Sequence, residues 1–483
     1  MKVFEKIVSV LPYLLVFVAS LYPPSDPDLG WHLKYGEYFF QHQSILRDNT
    51  FSTMMPGFHW SNSSWLTDVV SYMLYASGGF FGLIIASALI VAMTFFFFSK
   101  AARLSVWDET LLFPLILYLE TPINLVSFRG QQISMLLLGV LVFLLSLFEK
   151  RQKTIYLTIP LFLLWVNLHG EFILGLAFFA VWIAIYFLQK FFLIHKKDFR
   201  KTFSDTKNLG IVFLLCCLAT FINPFGIGIH LTTLSHFGSP LLENIAEYLP
   251  FPMLSQPWWN QVIVAVLLGM GFIFLFFRER LSLNIPLFGG IILLYLLSFN
   301  VRRYAWPAYY LILPILKPFS NFFKPDKKKT MLIASGVMII FMLIVVVFDK
   351  YPLSKFMTYS WDKYCQEYYI KCSPKSAEFI IKNKLTENLY SLYGWGGWLI
   401  WNYPEIKPTI DGRMHMWKDE KNYSGFIDYY EYEQNMKDID VSSYNVVYMS
   451  YEKPIFYHML KLVENGKWKL IYKDEFAGIF VRN

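Results

Sequence analysis

The sequence predicts a polytopic α-helical membrane bundle followed by a soluble mixed α/β domain, and three observations predict it. Apolar residues make up 55% of the 483-residue chain and charged residues only 16%, against about 25% charged in an ordinary soluble domain. The long apolar runs, among them Gly78 to Phe98, Phe172 to Leu193 and Met331 to Phe348, nearly all precede residue 349. Each is long enough to cross a hydrocarbon core of about 30 Å as a helix. Residues 349–483 instead mix Asp, Glu, Lys, Asn and Tyr through short apolar segments, the texture of an aqueous domain.

The first apolar run, Ile7 to Leu21, follows Lys2 and Lys6 as a secretory signal would. Pro23, Pro24, Ser25 and Asp26 make a poor cleavage site and further spans follow, so it reads as a retained helix. About eleven spans are expected, at 6–22, 80–98, 110–125, 133–148, 155–168, 172–193, 209–223, 261–277, 285–299, 304–317 and 330–348. With the N-terminus inside, six cytoplasmic segments hold 20 of the 25 basic residues of this part. The opposite connections hold Lys34, Arg47, Arg129, Arg302 and Arg303. By the positive-inside rule this predicts a multi-pass cell-membrane protein with a cytoplasmic N-terminus and an extracytoplasmic C-terminal domain.

Two domains follow: a membrane domain, 1–348, that includes a long external loop, 23–79, and a soluble domain, 349–483. The soluble part holds 18 basic and 18 acidic residues, so the net charge of +8 belongs to the membrane part. A nucleic-acid partner wants a dense basic patch and none is present, so nucleic acid is excluded. Cys365 and Cys372 fall where oxidation is permitted, and both a bridge and two thiols fit their positions. Cys216 and Cys217 sit within a span as packing residues.

The first external loop opens with Pro-Pro-Ser-Asp-Pro-Asp-Leu-Gly-Trp-His-Leu, residues 23–33. Asp26 and Asp28, one residue apart at a helix end, can meet a metal ion or one acceptor hydroxyl. A low-dielectric surface and a like charge would raise an aspartate from about 3.9 toward general-base range. Equally, Asp28 can cap a helix over 29–40 and Asp26 can make a turn. Phe58, Trp60 and Trp65, among Ser52, Asn62, Ser63 and Ser64, suit interfacial anchoring or a sugar or headgroup site.

Further polar groups fall at the same level: Glu120, Asn124, Arg129, Gln131 and Gln132, then Asn167, His169 and Glu171, then Asn300, Arg302 and Arg303, with Glu243 and Glu247 in the second long loop, 224–260. Such groups are costly near a membrane unless they pair or serve a cavity. The arginines can hold a phosphate bidentately or snorkel to headgroups. His169 can end a helix as a hydrogen-bonded residue, or join Glu171, Asp26 and Asp28 as a metal ligand. Carboxylates with few histidines point to Mg²⁺ or Mn²⁺ rather than zinc.

In the soluble part, a helix is expected over 375–384 and strands at 389–393, 443–449, 468–472 and 476–481. Gly-Trp-Gly-Gly-Trp, 394–398, allows close backbone approach beside the aromatic faces of Trp395 and Trp398, or makes a docking turn. It lacks the pattern of a dinucleotide fingerprint. Asp411 and Arg413 can pair with each other.

Taken together, DPDLGWHLKYG at 26–36 and SSWLTDVVSYMLYASGGFFG at 63–82 resemble the first external loop of the polytopic GT-C class of glycosyltransferases. FRGQQ at 128–132, WVNLHGEFILGL at 165–176, and GWGGWLIW with IDGR at 394–413 resemble a prokaryotic branch of that class. The resemblance implies a GT-C-like bundle in which Asp26 or Asp28 is the first-loop acid that engages acceptor or metal. With the polar groups at the same level, the expected substrate contacts are His32, Arg129, Gln131, His169, Arg302, Arg303, Trp395 and Trp398, and the expected ligands of a divalent cation, Mg²⁺ or Mn²⁺, are Asp26, Asp28 and Glu171. Trp395 to Trp398 is distantly similar to the tryptophan-rich acceptor motif of oligosaccharyltransferases, with glycines where that motif carries Trp-Trp-Asp.

The expected activity is sugar transfer from a polyprenyl-phosphate-linked donor, within membrane lipid, to a glycan, lipid or protein acceptor, with inversion. A transporter or flippase of a lipid-linked saccharide would instead show inverted repeats and polar groups near the midplane. A non-catalytic envelope assembly factor would bury the loop acids in caps.

Overall fold

The computed structural model describes residues 2–124, 127–193, 199–236, 262–270 and 285–483, with 241, 242, 245, 248 and 249. The chain divides into two compact units. One comprises Met1–Tyr22, Ile84–Ile227 and Glu243–Phe356, the other Pro23–Leu83, Gly228–Leu242 and Met357–Asn483. The first external loop, which the sequence places with the membrane part, thus falls in the same unit as residues 357–483.

The first unit is helical. Helix Lys2–Ala19 packs on Val106–Asn124 and Lys327–Val345, and Phe172–Leu193 packs on Phe199–Ala219 and Ile285–Asn300. Buried acids tie these helices together. Asp108 accepts from the Ser105 hydroxyl at 2.8 Å and from the hydroxyl of Ser320, while Glu109 accepts from Ser99 at 2.6 Å and from Tyr13.

Among the described residues, four helices are long and apolar enough to cross a membrane: Trp65–Ala102, Gly130–Leu147, Phe172–Phe191 and Lys329–Lys350. The protein is a multi-pass membrane protein, but the expected eleven spans exceed what these helices show. Apolar windows mark burial in protein as well as in lipid. The run at 304–317 is the clearest case. It breaks into Arg302–Ala305, Trp306–Leu311 and Leu313–Phe322, with Pro307 and Pro314 starting new helices, because proline lacks the N–H a continuing helix needs. All six residues of Trp306–Leu311 are buried. The run at 155–168 is a 3₁₀ turn, Gln152–Leu157, and an 11-residue helix, Thr158–Leu168. Of 261–277, only 262–270 lies within the described residues, as helix.

The second unit contains a four-stranded sheet of β1 (Leu389–Ser391), β2 (Val446–Ser450), β3 (Trp468–Lys473) and β4 (Ala477–Arg482) in the order β1-β2-β4-β3. β1 and β2 are parallel, which requires a crossover connection, and the other pairs are antiparallel. Every residue of the edge strand β1 and of the central strand β2 is buried, as expected of strands covered on both faces. Helices Pro374–Lys382 and Pro454–Glu464 pack on the sheet. The strands fall within a few residues of the expected segments, and the mixed α/β class holds. Cys365 and Cys372 are joined in a disulfide.

Against this core lie helix Leu29–His42 and the first leg of Trp65–Ala102. The long helix is interrupted at Gly79, φ 55° and ψ −148°, a conformation open essentially to glycine alone.

Candidate functional site

The second unit organises the Pro-Asp-Pro-Asp-Leu-Gly turn residue by residue. Asp26 is 4% exposed, its Oδ1 accepts the Asp28 N–H at 3.1 Å, and its carbonyl accepts the Tyr364 hydroxyl at 2.5 Å. That is the turn expected of an aspartate before proline. Asp28 stands at the N-cap of helix Leu29–His42, yet its side chain makes no capping hydrogen bond. The carboxylate, half-buried, faces the α-carbon of Gly412, where an added β-carbon would fall 1.8 Å from Oδ1.

The glycine-tryptophan run explains how the turn is held. A β-carbon on Gly30 would fall 1.9 Å from the carbonyl oxygen of Gly397, so the helix start and this run meet backbone to backbone. Trp395 and Trp398 are 0% and 1% exposed. The Trp395 indole donates to the Ile370 carbonyl at 3.1 Å and lies against Tyr448, while Trp398 lies against Tyr403. Their aromatic faces, expected to meet substrate, are enclosed in the unit's core. What meets the loop is the glycine backbone between them.

His32, one turn along, places Nδ1 2.5 Å from Asp68 Oδ1, and Asn62 donates to Asp68 Oδ2 at 2.6 Å. Burial pulls the imidazole pKa down, but the charge and hydrogen bond of Asp68, with Asp26 and Asp28 nearby, outweigh it. The net shift is upward, which favours an imidazolium among three carboxylates.

Asp411 and Arg413 do pair, and the pair reaches further. Arg413 Nε and Nη2 donate to Asp411 Oδ1 and Oδ2 at 2.7 Å each, with both side chains fully buried. Nη2 also donates to Asn49 Oδ1 at 3.0 Å, and the guanidinium lies 4.9–5.4 Å from the rings of Phe51, Trp60 and Trp417. Trp60 therefore serves this cation rather than a membrane interface. Backbone bonds from Thr53 to Pro408 and from Met54 to Thr409 complete the seam.

In the first unit a second group of the expected residues comes together. The Ser134 hydroxyl accepts the Trp165 indole N–H at 2.9 Å and lies 2.8 Å from His169 Nδ1. A β-carbon on Gly130 would fall 2.5 Å from His169 Cδ2, so Phe-Arg-Gly-Gln-Gln and Asn-Leu-His-Gly-Glu, far apart in sequence, close on each other. Gln131 is buried, and Gln132 accepts from Ser87 at 2.8 Å. Glu171 lies 3.8 Å from His169 Nδ1 and accepts from Arg303 Nε at 3.3 Å, while Arg303 Nη1 meets the Tyr248 hydroxyl at 3.2 Å. Arg303 is thus an ion-pair residue and not a snorkelling one. Arg129 is half-buried in extended backbone just before helix Gly130–Leu147. Arg302 lies in the turn Arg302–Ala305. Glu243 and Glu247 lie outside the described residues.

Among the described residues, no group of three or more His, Cys, Asp or Glu is arranged to hold a metal ion. Asp26 uses one oxygen in its turn, and Glu171 is engaged by Arg303. Sequence reasoning passed over Asp68 as a partner of His32 and Asn49 as a partner of Arg413. The available signal for Asp68 was an acid in the first turn of a strongly apolar helix, six residues after an asparagine.

No known protein-family model matches the chain, and no curated protein matches it in sequence. Solved structures do match. The oligosaccharyltransferase of Archaeoglobus fulgidus, tethered to an acceptor peptide containing the NVT sequon, superimposes with a TM-score of 0.56 at 10% identity, over 94% of this chain and 70% of that one. Its apo form gives 0.53 at 11% identity, over 93% and 70%. The chain therefore shares the fold of that oligosaccharyltransferase.

Proposed function

We propose that the protein is a glycosyltransferase that moves a sugar from a polyprenyl-phosphate-linked donor to an acceptor hydroxyl of a glycan, lipid or protein at the outer face of the membrane. The single observation that carries this reading is the Asp28 carboxylate, at the N-cap of helix Leu29–His42 without a capping bond and packed against the bare α-carbon of Gly412. The fold likeness supports the class of reaction.

Asp28 takes the proton of the acceptor hydroxyl as its oxygen attacks the anomeric carbon. The bond from that carbon to the phosphate oxygen breaks, and polyprenyl phosphate leaves from the opposite side, inverting the configuration. His32, ion-paired with Asp68, is a positioning residue that keeps positive charge beside the acids. Within the first unit, taken by itself, Arg129 and Arg302 are the groups suited to a phosphate, with Gln131, His169 and Arg303 as further polar groups of that unit. Mg²⁺ or Mn²⁺ on Asp26 and Asp28 would stabilise negative charge on the leaving phosphate; Glu171, engaged by Arg303, is not included. The basic bias of the presumed inner segments supports the outward placement of the soluble part, as does the Cys365–Cys372 disulfide.

Purified full-length protein, given labelled polyprenyl-phosphate sugar and membrane-extracted acceptors, tests the reading. Transfer should fall at least ~100-fold in Asp28→Asn. Undiminished transfer in both Asp28→Asn and Asp26→Asn would sink it.

A further inference from the structure

The first leg of helix Trp65–Ala102 and the segment after residue 356 border an open cavity of about 310 Å³ inside the second unit. Tyr75, Phe80, Tyr359 and Trp361 line it. Their rings stand edge to face: Phe80 lies 4.9 Å from Tyr359 at 75° and 5.1 Å from Trp361 at 67°, with Tyr75 5.5 Å away at 87°. The remaining wall is largely backbone. Gly78 and Gly79 border the cavity, and a β-carbon on either would meet nothing within 4 Å.

Two hydroxyls add hydrogen-bond donors to this aromatic lining. The Tyr75 oxygen accepts the Trp361 indole N–H at 2.9 Å, which leaves its own hydrogen to donate. Ser360 stands at the N-cap of helix Trp361–Gln366, yet its side chain makes no capping bond. Its hydroxyl, exposed and bordering the cavity, is open to a ligand. No acidic or basic side chain is among the described residues that line the cavity. A phosphate would call for arginine or lysine there, and a quaternary ammonium, though drawn to aromatic faces, accepts nothing from a hydroxyl. A neutral ring with an apolar face and a rim of hydroxyls suits all of these features. The volume is that of a small-molecule site, about 300–1,000 Å³.

We propose that this cavity binds a pyranose ring of a neutral saccharide, and that the saccharide is the acceptor of the transfer. The ring's C–H face lies on the aromatic side chains, and its hydroxyls meet Tyr75 and Ser360. The cavity is tied to the first-loop acids within the same unit: Trp361 packs on Tyr364 at 4.9 Å and 72°, and the Tyr364 hydroxyl donates to the Asp26 carbonyl at 2.5 Å. The acceptor role rests on the reading of the protein as a glycosyltransferase; the sugar site does not, and its binding is read without turnover.

Full-length protein in lauryldimethylamine oxide, a detergent without sugar, is mixed with the methyl glycosides of glucose, galactose, mannose and N-acetylglucosamine. Saturation-transfer difference NMR should show transfer from the protein to ring C–H protons of at least one of them. Gly78→Leu, which fills open space at an exposed helical position, should abolish that signal at an unchanged thermal midpoint. Trp361→Ala should weaken binding about tenfold, the scale of one lost aromatic contact. No signal from any glycoside with the wild-type protein would overturn the proposal, so a variant that fails to fold leaves the test intact. So would a signal that persists in folded Gly78→Leu, or one from phosphocholine alone, which would make the cavity a lipid-headgroup site. In the transfer assay, Gly78→Leu should raise KM for a glycan acceptor and leave KM for the polyprenyl-phosphate sugar unchanged. Acceptor KM unchanged while glycoside binding is lost would overturn the acceptor role. Glycoside binding in a protein that transfers no sugar would support the site and sink the activity instead.

Discussion

Gly412 presents a bare α-carbon to the carboxylate of Asp28, with no room between them for a methyl group. In Gly412→Ala the new β-carbon would start 1.8 Å from Oδ1 and 2.4 Å from Cγ. The carboxylate, as the end of a flexible side chain, has to swing away while the backbone stays. Turnover should drop on the order of 100-fold, the scale of an angstrom-sized misplacement of a reacting group, with little change in thermal stability. Wild-type turnover in a folded Gly412→Ala protein would show that the position of Asp28 has no bearing on activity.

Gly30→Ala is expected to act differently, because its obstacle is backbone. The added methyl would meet the Gly397 carbonyl oxygen at 1.9 Å, and neither partner can turn aside. The cost should exceed the usual ~1–3 kcal/mol of core overpacking. Limited proteolysis should then cut within residues 23–83 and 357–483 while helices of the other unit stay protected. A proteolytic pattern identical to wild type would contradict the close approach.

Much of this was legible along the chain. Strands at 446–450, 468–473 and 477–482 follow from short apolar runs bounded by turns, and the turn at Asp26 follows from Asp-Pro. The glycines of 394–398 announced a close approach but not its partner, because Gly30 lies more than 360 positions away. Trp395 and Trp398 were misleading for a related reason: composition cannot tell an aromatic that faces a ligand from one that fills a core. The span count fails where apolarity has two causes. Residues 306–311 lie within one of the expected spans, yet all six are buried in protein.

The Asp411–Arg413 pair sets a third expectation. Both side chains are fully buried, and Arg413 also holds Asn49 of the first loop. Removing one member leaves an uncompensated buried charge, which costs about 3–5 kcal/mol. Arg413→Met, which keeps the stem but loses the charge, should lower the thermal midpoint and free the 47–60 segment for hydrogen exchange. The double variant Asp411→Asn/Arg413→Met should recover part of that loss, since no lone charge remains. A double variant no more stable than the single one would mean that the bonds to Asn49 and the aromatic rings, and not the charge, dominate.

In the first unit, Gly130 and His169 form the matching contact. Gly130→Ala would press a methyl to 2.5 Å from the His169 ring and disturb the Ser134 hydroxyl 2.8 Å from Nδ1. If this group serves the donor phosphate, KM for the lipid-linked sugar should rise several-fold with kcat less affected. An unchanged KM with a lowered kcat would move His169 from donor binding to the chemical step.

The His32–Asp68 pair gives stability a pH dependence whose sign follows from the shift. His32 has its pKa raised in the folded protein, because the pull of Asp68 outweighs the opposing effect of burial. The folded state therefore holds the proton more tightly than the unfolded chain, whose histidine titrates near ~6.5. The contribution is complete below that value and is lost as pH rises through the higher, folded-state pKa. Thermal midpoints of the detergent-solubilised protein should decline from about pH 6.5 upward. In His32→Gln, which keeps a hydrogen-bond donor for Asp68 without the titration, that part of the decline should vanish. Parallel profiles in the two proteins would assign the pH dependence to other groups and leave His32 as a neutral packing residue.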